Sequence, residues 1–545
     1  MNVMPVVSGS AATEADLDFD AVVIGAGVSG LYMLYRLREM GLRVRVFETG
    51  TGVGGVWYWN RYPGARFDSE SWTYGYSFSQ ELLEEWDWQE HFAGQPETER
   101  YLNYVADKFD LRRDIQFASR VTAAHYKEAT HSWDVALEDG RRYTTRWLVA
   151  APGGLSAATL PNIPGIETFQ GQSCHTRDWP KEPVKFEGKR VAVIGTGATG
   201  VQVITEVAKT AGHLSVFQRT PNWCAPLHNA KISKEEMNRI KVGYPKIFER
   251  CQKTLGYIHT TDPRGTFEVT PEEREAFWEK LYDEPGFGIW MGNFRDIMTD
   301  REANKLISDF LARKIRQRVE DPVVAEKLIP KNHGFGTRRV PLESGYYEVY
   351  NQPNVTLVDL TQTPIERVTA TGITTSDAAY DFDIIIYATG YDAFTGGYER
   401  IGLRGVDGAS LKEKWQDGPQ TLLGFLVNGF PNMMMLLGPT GGLGNYPRAM
   451  EYAANWIAKL IRFARDRDLT RIEATAAGVN AWTDQVIAAS QGLLYLEVDS
   501  YFTGINSNVE GKQARRVVLY QGGHPSFRAH ADAVAAGGYR EVTFA

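Results

Sequence analysis

Three cysteines, Cys174, Cys224 and Cys251, are all that the 545 residues hold. No two of them form a C-x-x-C pair or a metal-ligand spacing, which argues against a dithiol redox centre and fits a reducing compartment. Positive charge is also scarce. Lys and Arg number 59 against 67 Asp and Glu, a net charge of −8, so no cationic excess meets the phosphates of a nucleic acid. No apolar run approaches the roughly 20 residues of a membrane helix. Residues 1–20 lack a basic stretch followed by a long apolar core, so they do not read as a signal peptide. Residues 1–18 read instead as a disordered, acidic leader. The expectation is a cytoplasmic protein, monomer or homodimer, with no nucleic-acid, membrane or metal partner.

What is present is a soluble globular composition, 43% hydrophobic and 23% charged, in a chain long enough for two or three domains with cores of their own. Residues 20–24 form a short apolar run that ends in Gly25-Ala26-Gly27-Val28-Ser29-Gly30. Leu31, Leu34 and Leu37 then recur at helical spacing, and residues 42–47 read as a second strand. This is a βαβ unit with G-x-G-x-x-G at its first turn. Gly25 permits the tight turn, Gly27 lets backbone approach a pyrophosphate, and Gly30 brings helix and strand together. The helix N-terminus offers unpaired N–H groups to the phosphates. Glu48, 18 residues after Gly30, is placed to bind ribose hydroxyls.

The unit recurs. Residues 189–194 and 214–218 flank Gly195-Thr196-Gly197-Ala198-Thr199-Gly200, with Val201, Ile204 and Val207 on one helical face. Here the position of the acid is taken by Arg219. An acid would repel a 2′-phosphate, whereas a guanidinium fork binds one. Arg219 either does this or begins a solvated loop. The charge difference points to FAD at the first turn and NADPH at the second. Residues 381–390 are an apolar strand ending in Ala388-Thr389-Gly390, and Ala150-Ala151-Pro152-Gly153-Gly154 is its counterpart. The two read as the crossings between domains.

Between the turns lies F-x-G-x-x-x-H-x-x-x-W-P, carried by Phe169, Gly171, His175, Trp179 and Pro180. Residues 54–68 read G-G-x-W-x-x-x-x-Y-P-G-x-x-x-D, with Gly55, Trp57, Tyr62 and Asp68. From about residue 19 to 545 the chain resembles the type I Baeyer–Villiger monooxygenases, and residues 314–331 look most like the branch acting on cyclic ketones. Flavin-containing monooxygenases share the chassis but typically lack the Trp-Pro ending. The resemblance implies an α/β fold with two Rossmann-like dinucleotide domains. FAD would be held by 19–154 and 391–545, NADP by 155–224 and 335–390, and 225–334 would be a helical insertion in the NADP domain.

The implied reaction uses NADPH, FAD and O2 to insert oxygen beside a ketone carbonyl, giving an ester or lactone, with sulfoxidation as a side activity. The alternative is a monooxygenase acting on sulfur or nitrogen. The resemblance gives Arg339 the part of the cation beside the anionic oxygen species that attacks the carbonyl, with Asp68 orienting it. It adds Tyr74 to the cofactor contacts, and Thr196, Thr199, Gln202, Thr220 and Arg338 to those of NADP. Trp57 is assigned to the NADP pyrophosphate or to the core. Asp68 has the alternative of a plain helix cap. Tyr501 stands where the family often has a tryptophan against the nicotinamide nucleotide. His175 is given to an interdomain linker that supports closure, with cofactor contact and acid–base catalysis as alternatives, and Trp179 to packing the same linker. Residues 438–445 read as a glycine-rich loop before a helix at about 448–465, and residues 497–512 as a mobile lid.

Overall fold

The computed structural model describes residues 17–442 and 444–545. Nearly all of the expected leader, and Leu443 of the glycine-rich loop, lie outside the described residues. Of the leader, Leu17 is buried and Asp18 accepts from the Thr144 N–H and hydroxyl.

Strand Phe19–Ile24 lies between Val44–Phe47 and Arg142–Ala150, parallel to both. All but its first residue are buried, which is why it reads as a continuous apolar run rather than an alternating one. Strand Arg142–Ala150 does two jobs. Its first half is antiparallel to Ser132–Leu137, and its last residues pair in parallel with Met433–Met435. The segment between 391 and 435 thus returns to the first sheet. Helix Val28–Glu39 buries Leu31, Leu34 and Leu37 and packs beside helix Tyr446–Arg465.

The second sheet is parallel throughout, in the order Val355–Asp359, His213–Gln218, Arg190–Ile194, Ile384–Tyr387, Gln172–His175. Helix Ala198–Val207 makes the crossover after the second glycine turn. The centre of the F-x-G-x-x-x-H stretch is therefore an edge strand of this sheet, with His175 opposite Tyr387, rather than a plain linker. Gly171 precedes it because a Cβ there would lie 2.5 Å from the Phe169 ring and 2.7 Å from the Asp383 carbonyl oxygen.

Residues 225–334 hold helices Lys234–Gln252, Pro271–Asp283, Arg301–Arg318 and Pro322–Leu328. Local chemistry sets their starts. Thr270 and Glu273 form a reciprocal capping box, and Asp300 and Asp321 accept first-turn N–H groups. A short parallel ladder, Ala225–Pro226 with Leu342–Glu343, ties the ends of the excursion together. Arg338 and Arg339 lie just inside that knot, where the insertion rejoins the NADP-type sheet. No described helix is long and apolar enough to cross a membrane.

Candidate active site

The two glycine turns have nearly the same geometry. Gly25 and Gly195 have φ of +102° and +107°, and a Cβ on either would lie 2.6 and 2.5 Å from the carbonyl oxygens of Ala151 and Ala388. Those two alanines end the crossing strands expected from the sequence. A Cβ on Gly30 would fall 1.8 Å from the Gly25 oxygen, and one on Gly200 2.2 Å from the Gly195 oxygen. Only glycine lets each helix sit on its turn. Gly27 and Gly197 cap their helices without a side-chain hydrogen bond, so first-turn N–H groups are left for phosphate oxygens.

A cavity of about 980 Å³ runs between the turns, at the upper end of the roughly 300–1,000 Å³ usual for ligand sites. Gly25, Gly27, Glu48, Gly55, Trp57, Tyr62, Asp68 and Tyr74 line it from the first half. Gly197, Thr199 and Gln202 line it from the second, with Arg339 and Tyr501. Gly30, Gly195 and Gly200 shape the turns from behind. Glu48 is buried and accepts from the N–H groups of Ala26 (2.7 Å) and Gly50 (2.6 Å). Burial raises its pKa, against the pull of those two N–H groups.

Arg339 and Asp68 come together from 271 residues apart, Nη2 to Oδ2 at 2.7 Å. The Asp68 side chain is 1% exposed and that of Arg339 29%, because the guanidinium faces the cavity. Asp68 also accepts from the Leu342 N–H at 3.3 Å. It caps no helix, since the next one, Ser71–Tyr74, begins at Glu70. Burial pushes the Asp68 carboxyl up, and Arg339 opposes that shift. At Arg339 burial acts downward, Asp68 acts upward, and the net shift is upward. Arg339 Nη1 has no hydrogen-bond partner among the described residues. Asp68 thus takes one of the five N–H groups of a permanent cation whose side chain lines the cavity.

Trp57 donates from Nε1 to the Tyr74 hydroxyl at 3.0 Å, so it serves both core and cavity wall. Tyr62 donates to Gln202 Oε1 at 2.7 Å, and Gln202 Nε2 donates to the Arg66 carbonyl at 3.0 Å. These bonds tie the two nucleotide units across the cavity. Arg219, Thr220 and Arg338 lie outside the lining. The Arg219 side chain is exposed and reaches the Ser507 hydroxyl at 2.8 Å. The Thr196 hydroxyl donates to the Thr220 carbonyl at 3.0 Å. Burial lowers the Arg338 pKa and the like charge of Arg219 lowers it further, which brings two cations to one place beyond the second turn.

Phe169, Gly171, His175 and Trp179 also stand outside the lining. His175 Nδ1 accepts from the Arg177 N–H at 3.0 Å, its ring meets Tyr391 edge to face, and burial lowers its pKa. Its neighbour Arg177 does reach the cavity, stacked 4.5 Å over Trp59 of the first unit. Trp179 is buried against Phe186. The stretch therefore joins the sheet of one unit to the short helix Val56–Trp59 of the other. In the segment read as a lid, the turn Tyr501–Thr503 is capped by Ser500, and Lys512 Nζ bonds Asp392 Oδ1 (2.5 Å) and the Thr395 hydroxyl (2.6 Å).

One wall was not foreseen. Tyr257, Phe287, Trp290, Met291, Phe294 and Met298 of the insertion line the cavity. The only signal was the apolar, glycine-broken run at 287–294 amid charged helices.

A family model described as flavin-binding monooxygenase-like matches residues 20–237. A 2-oxo-Δ3-4,5,5-trimethylcyclopentenylacetyl-CoA monooxygenase of Pseudomonas putida is 47% identical over 95% of this chain and 97% of its own. A Baeyer–Villiger monooxygenase of Pseudooceanicola batsensis is 40% identical over 96% of each. A crystal structure of OTEMO with FAD and NADP superposes with a TM-score of 0.94 at 46% identity, covering 97% of this chain and 100% of that one. The chain belongs to the type I Baeyer–Villiger monooxygenases, which work with FAD and NADPH.

Proposed function

We propose that Arg339 is the catalytic cation of an oxygen insertion into a neutral, cyclic or bulky ketone, and that Asp68 is its positioning partner. The observation that carries this reading is the buried Asp68 holding Arg339 in the cavity wall through a single N–H, with the rest of the guanidinium's donors unspent. Residues 19–154 and 391–545 hold FAD, and residues 155–224 and 335–390 hold NADPH. Gly25, Gly27 and the helix behind them fit the FAD pyrophosphate, and Glu48 its ribose. Gly197, Thr199 and Gln202 fit the body of NADPH, with Arg219 and Arg338 for the 2′-phosphate and Tyr501 against the nicotinamide. The names of the relatives support a ketone. Three free, buried cysteines support a reducing, cytoplasmic setting.

FAD, when bound and reduced by NADPH, would activate O2 for the insertion. Arg339 keeps full charge at any working pH, so it favours the anionic, nucleophilic form of that oxygen and then the developing oxyanion. Asp68 fixes the direction of the guanidinium fork through Nη2 and leaves its other N–H groups without a protein partner among the described residues. The aromatic and methionine side chains of the insertion exclude water from their side of the cavity, and the one insertion arginine in the lining, Arg295, is paired with Glu268. Product analysis under air tests the reading: NADPH, a ketone panel and thioether controls, with ester, sulfoxide and H2O2 counted against NADPH consumed. Ester matching NADPH is expected. Sulfoxide with no ester from any ketone contradicts it.

A further inference from the structure

Tyr257 of the insertion and Tyr446, the first residue of helix Tyr446–Arg465, both line the cavity. Neither hydroxyl makes a hydrogen bond among the described residues. Neither is sealed in the protein either, since both are half-buried and open on the cavity. Tyr257 stacks edge to face on Phe287, which stacks in turn on Trp290, so an aromatic wall holds its ring. The place of Tyr446 is cleared by Gly154, where a Cβ would stand 2.5 Å from the Tyr446 hydroxyl. A donor held in an apolar cavity without a partner is costly unless something there accepts from it.

We propose that Tyr257 and Tyr446 are specificity residues that hydrogen-bond a second, neutral oxygen function on the ketone, a hydroxyl or another carbonyl. This rests on the reading of the cavity as the ketone site. Burial pushes both phenols up in pKa, so they remain neutral donors and suit a neutral acceptor. Arg339 is assigned to the reacting oxygen and Tyr501 to the nicotinamide, whereas the lining tyrosines Tyr62, Tyr74, Tyr391, Tyr495 and Tyr520 have hydroxyl partners in the protein, so Tyr257 and Tyr446 are the lining phenols left to the substrate.

The test compares cyclohexanone with 4-hydroxycyclohexanone and 1,4-cyclohexanedione in the FAD-loaded enzyme. The wild type should favour the oxygenated ketones in kcat/KM. Tyr257→Phe and Tyr446→Phe should each lower that preference about three- to tenfold, the worth of one neutral hydrogen bond, mainly through KM. Gly154→Ala, which displaces the Tyr446 hydroxyl without removing it, should lower the preference in the same direction and serves if a Phe variant folds poorly. Ester formed from cyclohexanone by the wild type checks the ketone site independently. An unchanged preference in variants that still make that ester would mean the phenols serve water alone, and the assignment would fall.

Discussion

The first and second glycine turns share a frame and differ in what surrounds it. Their first glycines agree within a few degrees in φ, and their third glycines face the same steric demand. Gly27, however, packs against Gly55, where a Cβ would be 3.3 Å from its Cα, while a Cβ on Gly197 would meet nothing within 4 Å. Glu48 is buried and bonded to two backbone N–H groups, whereas Arg219 is exposed and touches Ser507. A closed turn with a buried acid suits a cofactor that stays. An open turn with the exposed Arg219 suits one that arrives and leaves each cycle. On the proposed reading the shared frame serves dinucleotide binding, and the surroundings distinguish FAD from NADPH.

The sharpest way to break the comparison is a matched steric defect. Gly30→Ala should abolish FAD retention and lower Tm, since backbone meets the new methyl at 1.8 Å. Gly200→Ala should leave FAD bound and abolish reduction by NADPH. Flavin absorbance after gel filtration, with NADPH bleaching, separates the two. Loss of FAD from both would show the turns to be one cooperative unit. Next in size is Arg219→Ala, which should raise KM for NADPH about ten- to thirtyfold at low salt, shrinking as salt rises, with no change for NADH. Gly197→Ala should spare stability and FAD content and raise KM for NADPH without abolishing reduction, since a Cβ there meets nothing within 4 Å.

The smallest effect concerns pH. The Glu48 pKa is raised by burial, so the folded protein holds that proton more tightly than the unfolded chain does. Its contribution is present at low pH and lost as pH rises through the folded value. Denaturant unfolding of the apoprotein should show wild-type stability falling relative to Glu48→Gln as pH rises above the usual carboxylate range. A flat difference would mean that the two N–H donors cancel the cost of burial.

The parts of the fold written in local chemistry were legible. Both βαβ units were, because a backbone carbonyl against a Cβ position leaves only glycine, and a strand buried on both faces leaves a solid apolar run. So were the contrast of Glu48 with Arg219 and the helical character of the insertion. The Arg339–Asp68 pair was reached only through family resemblance, since nothing local marks two residues 271 apart as partners. The edge strand Gln172–His175 was missed because four residues with one buried side chain, Cys174, carry no period. The cavity wall at 287–294 was missed because the turn Gly288–Met291 is too short to show a helical face. Tyr257 and Tyr446 gave no signal, as a cavity-facing tyrosine reads like any other.

Arg339 is proposed to act on oxygen chemistry rather than on cofactor binding or hydride transfer. The direct measurement takes one preparation of Arg339→Ala through two assays: anaerobic bleaching of the flavin by NADPH, and aerobic ester yield per NADPH. Bleaching close to the wild type is expected, with an ester rate lower by about 10²- to 10³-fold and the NADPH consumed appearing as H2O2. Wild-type ester yield from that variant would contradict it.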